Sequence, residues 1–435
     1  MSTGRAPALC GIVKTMSLSV PLKGWVIVAV VAGALQAPPQ KFVPEPVQPS
    51  DLKVRLDLVG TIPTKVNPTS PALAGSTLLL VDQDGAVFGW KDSQARVILS
   101  KTNLPPGVKF AGAEPIINVA ANRAGTVVYV MFISFSTPKD VPKRVSPRDP
   151  DAWYLLYAFD FDGTSLSHPR PVTALGERTD GHSGGGMVVL DDGSVLFAAG
   201  DNGDSYEDGR DDSQNPANHL AKIVHIDPST GATKIVAVGV RAAQRLTIDT
   251  FDTASNGKEE WLTFVDPGGW VSEELDGIRV ADLSGPAPAN FGWGRAPTDG
   301  RSREGTFFIN RVGNSIGKVP DPDPGFIAPI AEFGRENAPV FAVSGPVHSV
   351  QSFSRITFLF GDLVGGGVYA VTGPPSVIRQ PVFAVSLFDS QMQPLTLKGL
   401  AKGQRPDPRF FNFPDGTAGV LLERTGSFYR LTEIR

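Results

Sequence analysis

Short apolar runs broken by acidic-glycine turns recur along most of the chain. They read LLLVDQDGAVFGW at 78–90, YAFDFDGTSL at 157–166, MVVLDDGSVLFAAG at 187–200, IVHIDPSTGATKIV at 223–236, FFNFPDGTAGVLLE at 410–423 and ERTGSFYRL at 423–431. Asp-Gly between apolar segments is a strong hairpin signal, because both turn residues tolerate positive φ. No sustained helical period separates these units, and Gly or Pro interrupts nearly every helical window. The pattern predicts an all-β fold. Sandwich pair, large barrel and propeller remain open, since no strict repeat distinguishes them. Two stretches read as long loops: STPKDVPKRVSPRDPDA at 136–152 and the Pro/Gly-rich run from Arg295 to Pro339.

The ends of the chain read differently. Arg5, Lys14 and Lys23 precede the apolar run Trp25 to Leu35, and small residues stand at Ala32, Ala34 and Ala37. A basic start, a short apolar core and small residues describe a secretory signal peptide over 1–37, with Met1 or Met16 as its start. The run is shorter than the about 20 apolar residues of a spanning helix, so export to the periplasm or exterior is expected without stable membrane insertion. A proline-rich linker follows over 38–51, and a single folded domain over 52–435. The only cysteine, Cys10, lies ahead of the apolar run, so the mature chain has no thiol and relies on its hydrophobic core. With a formal net charge of −4 the chain presents no broad basic field, which argues against nucleic acid as a partner. Gly (47) and Pro (38) abound, as turn-rich β folds require.

Two segments carry candidate chemistry. GHSGGG at 181–186 looks like a nucleophile elbow around Ser183, but that chemistry needs a helix after the turn. Here MVVL and the Asp192-Gly193 turn follow at once, so the hydrolase reading fails and His182 remains, in a glycine-rich approach to a strand. The loop GDNGDSYEDGRDD at 200–212 gathers carboxylates in a way that suits either Ca²⁺ or a solvated acidic loop, without EF-hand spacing. Further on stand GVRAAQRL (239–246), WLTFVDPGGWVSEELDGI (261–278) and NFGWG (290–294).

In this order, with TLLLVDQDGAVFGW, EPIINVAANRAGTVVYVMF, ITFLFGDLVGGGVYAV and PDPRFFNFPDGTAGVLLERTGSFYRL around them, the segments resemble the glucose/sorbosone dehydrogenase family from about Thr77 onward. The resemblance implies a six-bladed β-propeller that oxidises a sugar hydroxyl with pyrroloquinoline quinone (PQQ) and Ca²⁺ and passes electrons to a diffusible acceptor. It implies that His182 is the general base and that Arg241 stands at the active centre. Arg241, Gln244, Arg405 and Arg409 are the implied cofactor contacts; Asp266, Pro267 and Glu273 fall where the metal would be held. The chain departs from the family at Ala242, where the family has Asn. It departs again at Phe264-Val265-Asp266-Pro267, and at Gly365-Gly366-Gly367, where a basic residue is missing. These departures keep two rival readings in view: a non-catalytic extracellular propeller binding a glycan or protein, and a Ca²⁺-dependent lactonase.

Overall fold

A computed structural model describes residues 44–435, apart from 63–67, 83–84, 101, 111–115, 145–149, 178–181, 204–212, 254–256, 296–300, 311–314, 320–324 and 335–342. The described chain is almost wholly β-structure in seven sheets, with two short helical turns, Val280–Ser284 and Leu397–Leu400, the latter capped by the Thr396 side chain. The expected leader and the first part of the expected linker, residues 38–43, lie outside the described residues. The last part of that linker is extended against Val382 and Ala384, with which the Gln48 backbone exchanges hydrogen bonds.

Each Asp/Gly segment does form an antiparallel hairpin. Ala152–Phe161 pairs with Leu166–Glu177, Gly184–Val189 with Val195–Ala199, and Pro408–Asn412 with Ala418–Leu422. The turns share one device. The Asp162 carboxylate accepts from the Thr164 and Ser165 N–H groups, while Gly163 takes the left-handed conformation at φ 92°. These contacts hold Asp162 well below the usual carboxylate range, and the equivalent contacts of Asp227 bring it to about 2.

Six sheets follow one another in sequence, beginning with the strands Pro68–Ala74, Ile116–Ala121, Gly184–Val189, Thr247–Asp252, Val343–Val347 and Pro408–Asn412. Each sheet shares one core cluster with the next. Leu79 and Val81 pack on Val130 and Phe132, Tyr154 on Phe197, and Leu196 on Leu262 and Phe264. Val265 and Leu275 then pack with Phe358 and Phe360, and Leu359 with Val420 and Leu422. The sixth sheet returns to the first through Phe411 and Phe428 against Leu78 and Leu80. In the strand Thr77–Asp82, alternate residues therefore enter two different clusters, and all six positions are buried. A strand covered on both faces reads as a continuous apolar run, not as strict alternation. Each fully buried Leu, Val or Phe contributes about 1.5 to 3 kcal/mol, so stability is spread around the molecule.

The sixth sheet also takes in the strand Lys53–Thr61, which pairs antiparallel with Ser427–Ile434 from Lys53↔Ile434 to Thr61↔Ser427. At the opposite edges, the first strands of the six sheets line one cavity of about 230 Å³, with Ala72, Asn118, Met187, Asp249, Ser344 and Asn412 among its walls.

The Arg295–Pro339 stretch differs from the loop that its Gly and Pro content predicts. Within it and at its border, Gly294–Arg295, Ser302–Glu304, Phe307–Ile309 and Ser315–Lys318 form a small seventh sheet, and Ala331–Gly334 joins the fourth. Three- and four-residue strands are too short to show a period, and Phe307 and Ile309 bury into a separate cluster with Trp293 and Val271. Among the described residues, the 136–152 stretch contains only the two-residue strand Lys143–Arg144 before the chain enters Ala152–Phe161.

Candidate active site

The strand Gly184–Val189 starts two residues after His182, and its partner Val195–Ala199 ends two residues before Asp201. Antiparallel pairing, Gly184 opposite Ala199, thus brings the histidine and the aspartate together at one end of the third sheet. The approach is close: a Cβ on Gly200 would lie 1.7 Å from the His182 carbonyl oxygen, so only glycine fits. His182 itself adopts φ 50°, held by the Gly200 N–H to Ser183 O and Asn202 N–H to His182 O hydrogen bonds.

His182 Nδ1 lies 3.0 Å from Asp201 Oδ1, and the imidazole is 46% exposed while the carboxylate is buried at 2%. A buried carboxylate on Nδ1 makes that nitrogen the donor and leaves Nε2 with a lone pair. The Arg241 Nη2 group stands 3.3 Å from Nε2, as a guanidinium donor facing an acceptor. Asp201 is itself fixed by the Gly203 N–H at Oδ1 (3.0 Å) and by the Trp293 indole N–H at Oδ2 (3.1 Å).

Arg241 is anchored at both terminal nitrogens and over its plane, while its Nε has no hydrogen-bond partner among the described residues. Its Nη1 donates to Pro267 O and to Gly268 O, both at 3.0 Å, and its guanidinium lies over the Trp293 ring at 5.1 Å. Asp201 Oδ2 stands 3.9 Å from its Nε. Below it, both oxygens of Asp266 accept backbone N–H groups, Oδ2 from Arg241 at 2.6 Å and Oδ1 from Ala242 at 2.8 Å. Burial nevertheless pushes the Asp266 carboxyl up to about 7, with those two hydrogen bonds and the Arg241 charge opposing it and the Asp201 charge adding to it.

The implied cofactor residues divide. Gln244 lies on the cavity wall, and its amide oxygen accepts from Arg409 Nη1; Arg409 Nη2 donates to Glu423 at 3.0 Å. Arg405 is elsewhere: it is half exposed, with Nε on Asp407 at 2.6 Å, and does not line the cavity. The implied metal set does not converge either. Asp266 pairs across the sheet with Glu274, so strand alternation turns Glu273 to the opposite face, toward Tyr369, whose hydroxyl its charge helps to raise. Asp266 commits both oxygens to N–H groups and Pro267 commits its carbonyl to Arg241, whereas Ca²⁺ asks for 6–8 oxygens. Among the described residues no group of three or more acidic, His or Cys side chains is arranged to hold a metal. With the Arg241 side chain in place, these residues do not fit the ion. Of the acidic 200–212 loop, Asp204 to Asp212 lie outside the described residues.

The structure adds residues that sequence reasoning did not place. Asp201 counts among the carboxylates of the acidic loop, yet serves His182; the signal was an Asp directly after a strand whose partner starts beside a histidine. Glu304, in the small seventh sheet, accepts the N–H groups of Trp270, Val271 and Ser272 at 2.6–2.9 Å. It thereby fixes the turn that presents the Pro267 and Gly268 carbonyls. Beyond that turn Asp266, Glu274 and Glu332 stand in register on three neighbouring strands, and burial together with mutual repulsion raises Glu274 and Asp276 well above the carboxylate range. Neither Asp276 oxygen has a hydrogen-bond partner among the described residues.

No family model and no curated protein matches the chain. Solved structures do. A PQQ-bound aldose sugar dehydrogenase from Streptomyces coelicolor superposes with a TM-score of 0.59 at 17% identity, over 89% of this chain and 99% of its own. A putative oxidoreductase (glucose dehydrogenase) from Thermus thermophilus gives 0.55 at 15% identity, over 87% and 99%. A Trichoderma reesei carbohydrate-active enzyme of family AA12 gives 0.51 at 14%, over 91% and 99%. The chain therefore has the β-propeller-like fold of the soluble PQQ sugar dehydrogenases, across nearly the whole length of each.

Proposed function

We propose that the chain is an exported six-bladed β-propeller that oxidises a sugar hydroxyl. The blade count is supported by six sheets whose first strands share one cavity and whose core clusters run in a closed order. The observation that carries the chemistry is the Asp201–His182–Arg241 arrangement, a half-exposed imidazole with a buried carboxylate on one nitrogen and a cation beside the other.

A sugar hydroxyl that displaces the Arg241 Nη2 contact from His182 Nε2 gives its proton to that lone pair, and the imidazolium so formed is stabilised by Asp201. Arg241 orients the oxygen and stabilises negative charge next to the base, in a site whose carboxylate neighbours fix the guanidinium beforehand. Nη1 directs both hydrogens to carbonyls, whereas Nη2 keeps one beyond its His182 contact, a further donor at the edge of the site. No side chain can take the hydride that leaves the carbon as the carbonyl forms; PQQ supplies that acceptor when bound, and a diffusible acceptor then carries the electrons away. Arg241 would hold a carboxylate or carbonyl of such an anion; Gln244 and Arg409 stand on the wall of the cavity, which neither His182 nor Arg241 lines, and Arg409 is paired there with Glu423. No step here is assigned to calcium.

The test adds PQQ to purified protein and follows dye reduction over a sugar panel, with quinone binding measured by calorimetry. Binding with turnover is expected. Absence of both would sink the proposal and leave a binding propeller. Export is checked by N-terminal sequencing of the protein from the extracytoplasmic fraction, where a start near residue 38 is expected and a retained leader would refute it.

A further inference from the structure

We infer that the Arg241 guanidinium is the resident cation of an oxygen cage at this centre, so that the site needs no metal ion and acquires a metal site only when Arg241 is removed. Two backbone carbonyls, Pro267 O and Gly268 O, point at one nitrogen from 3.0 Å each. Asp201 Oδ2 approaches the same guanidinium at 3.9 Å, and the Asp266 carboxylate lies under its backbone N–H at 2.6 Å. Adjacent carbonyl oxygens with carboxylates beside them are the chemistry of a hard divalent cation. Here that chemistry is satisfied by a side chain of fixed charge.

The cage is rigid independently of its occupant. Glu304 holds the N–H groups of Trp270 to Ser272, and a Cβ on Gly268 would meet Ser272 O at 1.6 Å and Glu304 Oε1 at 2.5 Å. The turn that carries the two carbonyls is thus tied down on its far side by contacts that do not involve the guanidinium. Trp293 covers the remaining face, bonded through its indole to Asp201 and stacked on the guanidinium. A planar, delocalised cation meets the two carbonyls, the imidazole and the indole face at once, which an ammonium cannot do. With Arg241 in place, a second positive ion would face the guanidinium at contact distance, and the oxygens it requires are already accepting hydrogen bonds.

The measurement uses the full mature chain and no turnover, so it succeeds or fails independently of the dehydrogenase proposal. Thermal melts are recorded with EGTA, with calcium chloride and with millimolar guanidinium, and calcium is titrated calorimetrically into wild type, Arg241→Ala and Asp266→Asn. Wild type is expected to melt at one temperature in EGTA and calcium, with no calcium heat that Asp266→Asn abolishes. Arg241→Ala is expected to melt lower in EGTA and to recover with calcium or guanidinium, the recovery growing with the logarithm of concentration as for a ligand of the folded state. Tetramethylammonium, which has no N–H donors and no ligand-accepting orbitals, should give no recovery. Wild-type calcium binding lost in Asp266→Asn, or an Arg241→Ala protein indifferent to both cations, would overturn the inference. Should Arg241→Ala fail to fold, Arg241→Lys decides: its retained charge predicts indifference to calcium, and a calcium-raised melting temperature would overturn it.

Discussion

Replacing Asp266 by asparagine separates the charge of this residue from its shape. Burial raises the folded-state carboxyl from 3.8 to about 7, against an unfolded value near the former. Below the unfolded value the group is protonated in both states and costs nothing. As pH rises toward the folded value, the unfolded chain releases the proton and the folded chain keeps it, so stability present in acid is lost, completely so above about pH 7. The shift corresponds to roughly 4 kcal/mol between about pH 4 and about pH 8. Asparagine has no such slope. It gives up one of the two acceptors for the Arg241 and Ala242 N–H groups, a loss of about 1 to 3 kcal/mol that does not vary with pH. Urea unfolding of both proteins across this range should therefore give a free-energy difference, variant minus wild type, that increases steadily with pH. The slopes of Glu274, Asp276 and Glu332 run in the same direction; because the Asp266 charge is among the causes that raise Glu274 and Asp276, its removal eases their titration too and adds to the difference in the same sense. Parallel pH profiles would refute the buried-charge account of Asp266, and so would a difference that narrows with pH.

Three other substitutions probe the site and its supports. His182→Asn, chosen because Asn tolerates the observed φ of 50°, should lower kcat by roughly 10²- to 10⁴-fold in dye reduction and leave the melting temperature unchanged; retained kcat would remove the base. Asp276→Asn removes a buried carboxylate with no hydrogen-bond partner among the described residues and should stabilise the fold by about 1 to 4 kcal/mol at alkaline pH and by little in acid, as read by urea midpoints. A destabilised alkaline midpoint would mean that the charge is compensated. Gly268→Ala drives a methyl into Ser272 O and Glu304 and should cost about 1 to 3 kcal/mol while lowering kcat through the displaced Arg241; full activity would show that the turn does not position the arginine.

Much of this was legible in the residues, for identifiable reasons. Asp162-Gly163, Asp192-Gly193 and Asp415-Gly416 announce their hairpins because the turn chemistry is local: carboxylate, backbone N–H and positive φ all lie within four residues. His182 and Arg241 were found through their order along the chain, and the structure brings them into contact. The contacts that decide the site's charge were not legible, because they are long-range. Asp201 meets Trp293 across 92 residues and Trp270 meets Glu304 across 34, and no spacing rule connects them. The failure of Asp266, Pro267 and Glu273 to converge follows from strand alternation across a register that the sequence does not state. The small sheet within 294–318 was hidden by strands too short to carry a period.

The pairing of Lys53 with Ile434 has a consequence for how the protein is made. The strand Lys53–Thr61 leaves the ribosome well over 300 residues before its main antiparallel neighbour, Ser427–Ile434. Until residue 434 has emerged, that strand is left with only the three-residue parallel contact to Ser386–Phe388, and its apolar Val54 and Leu56 have no completed core to enter. Contacts of such sequence separation form slowly, after the local hairpins. Translation thus withholds closure of this sheet until the Ser427–Ile434 strand has emerged, and deletion of that strand should leave a set of formed hairpins that cannot lock.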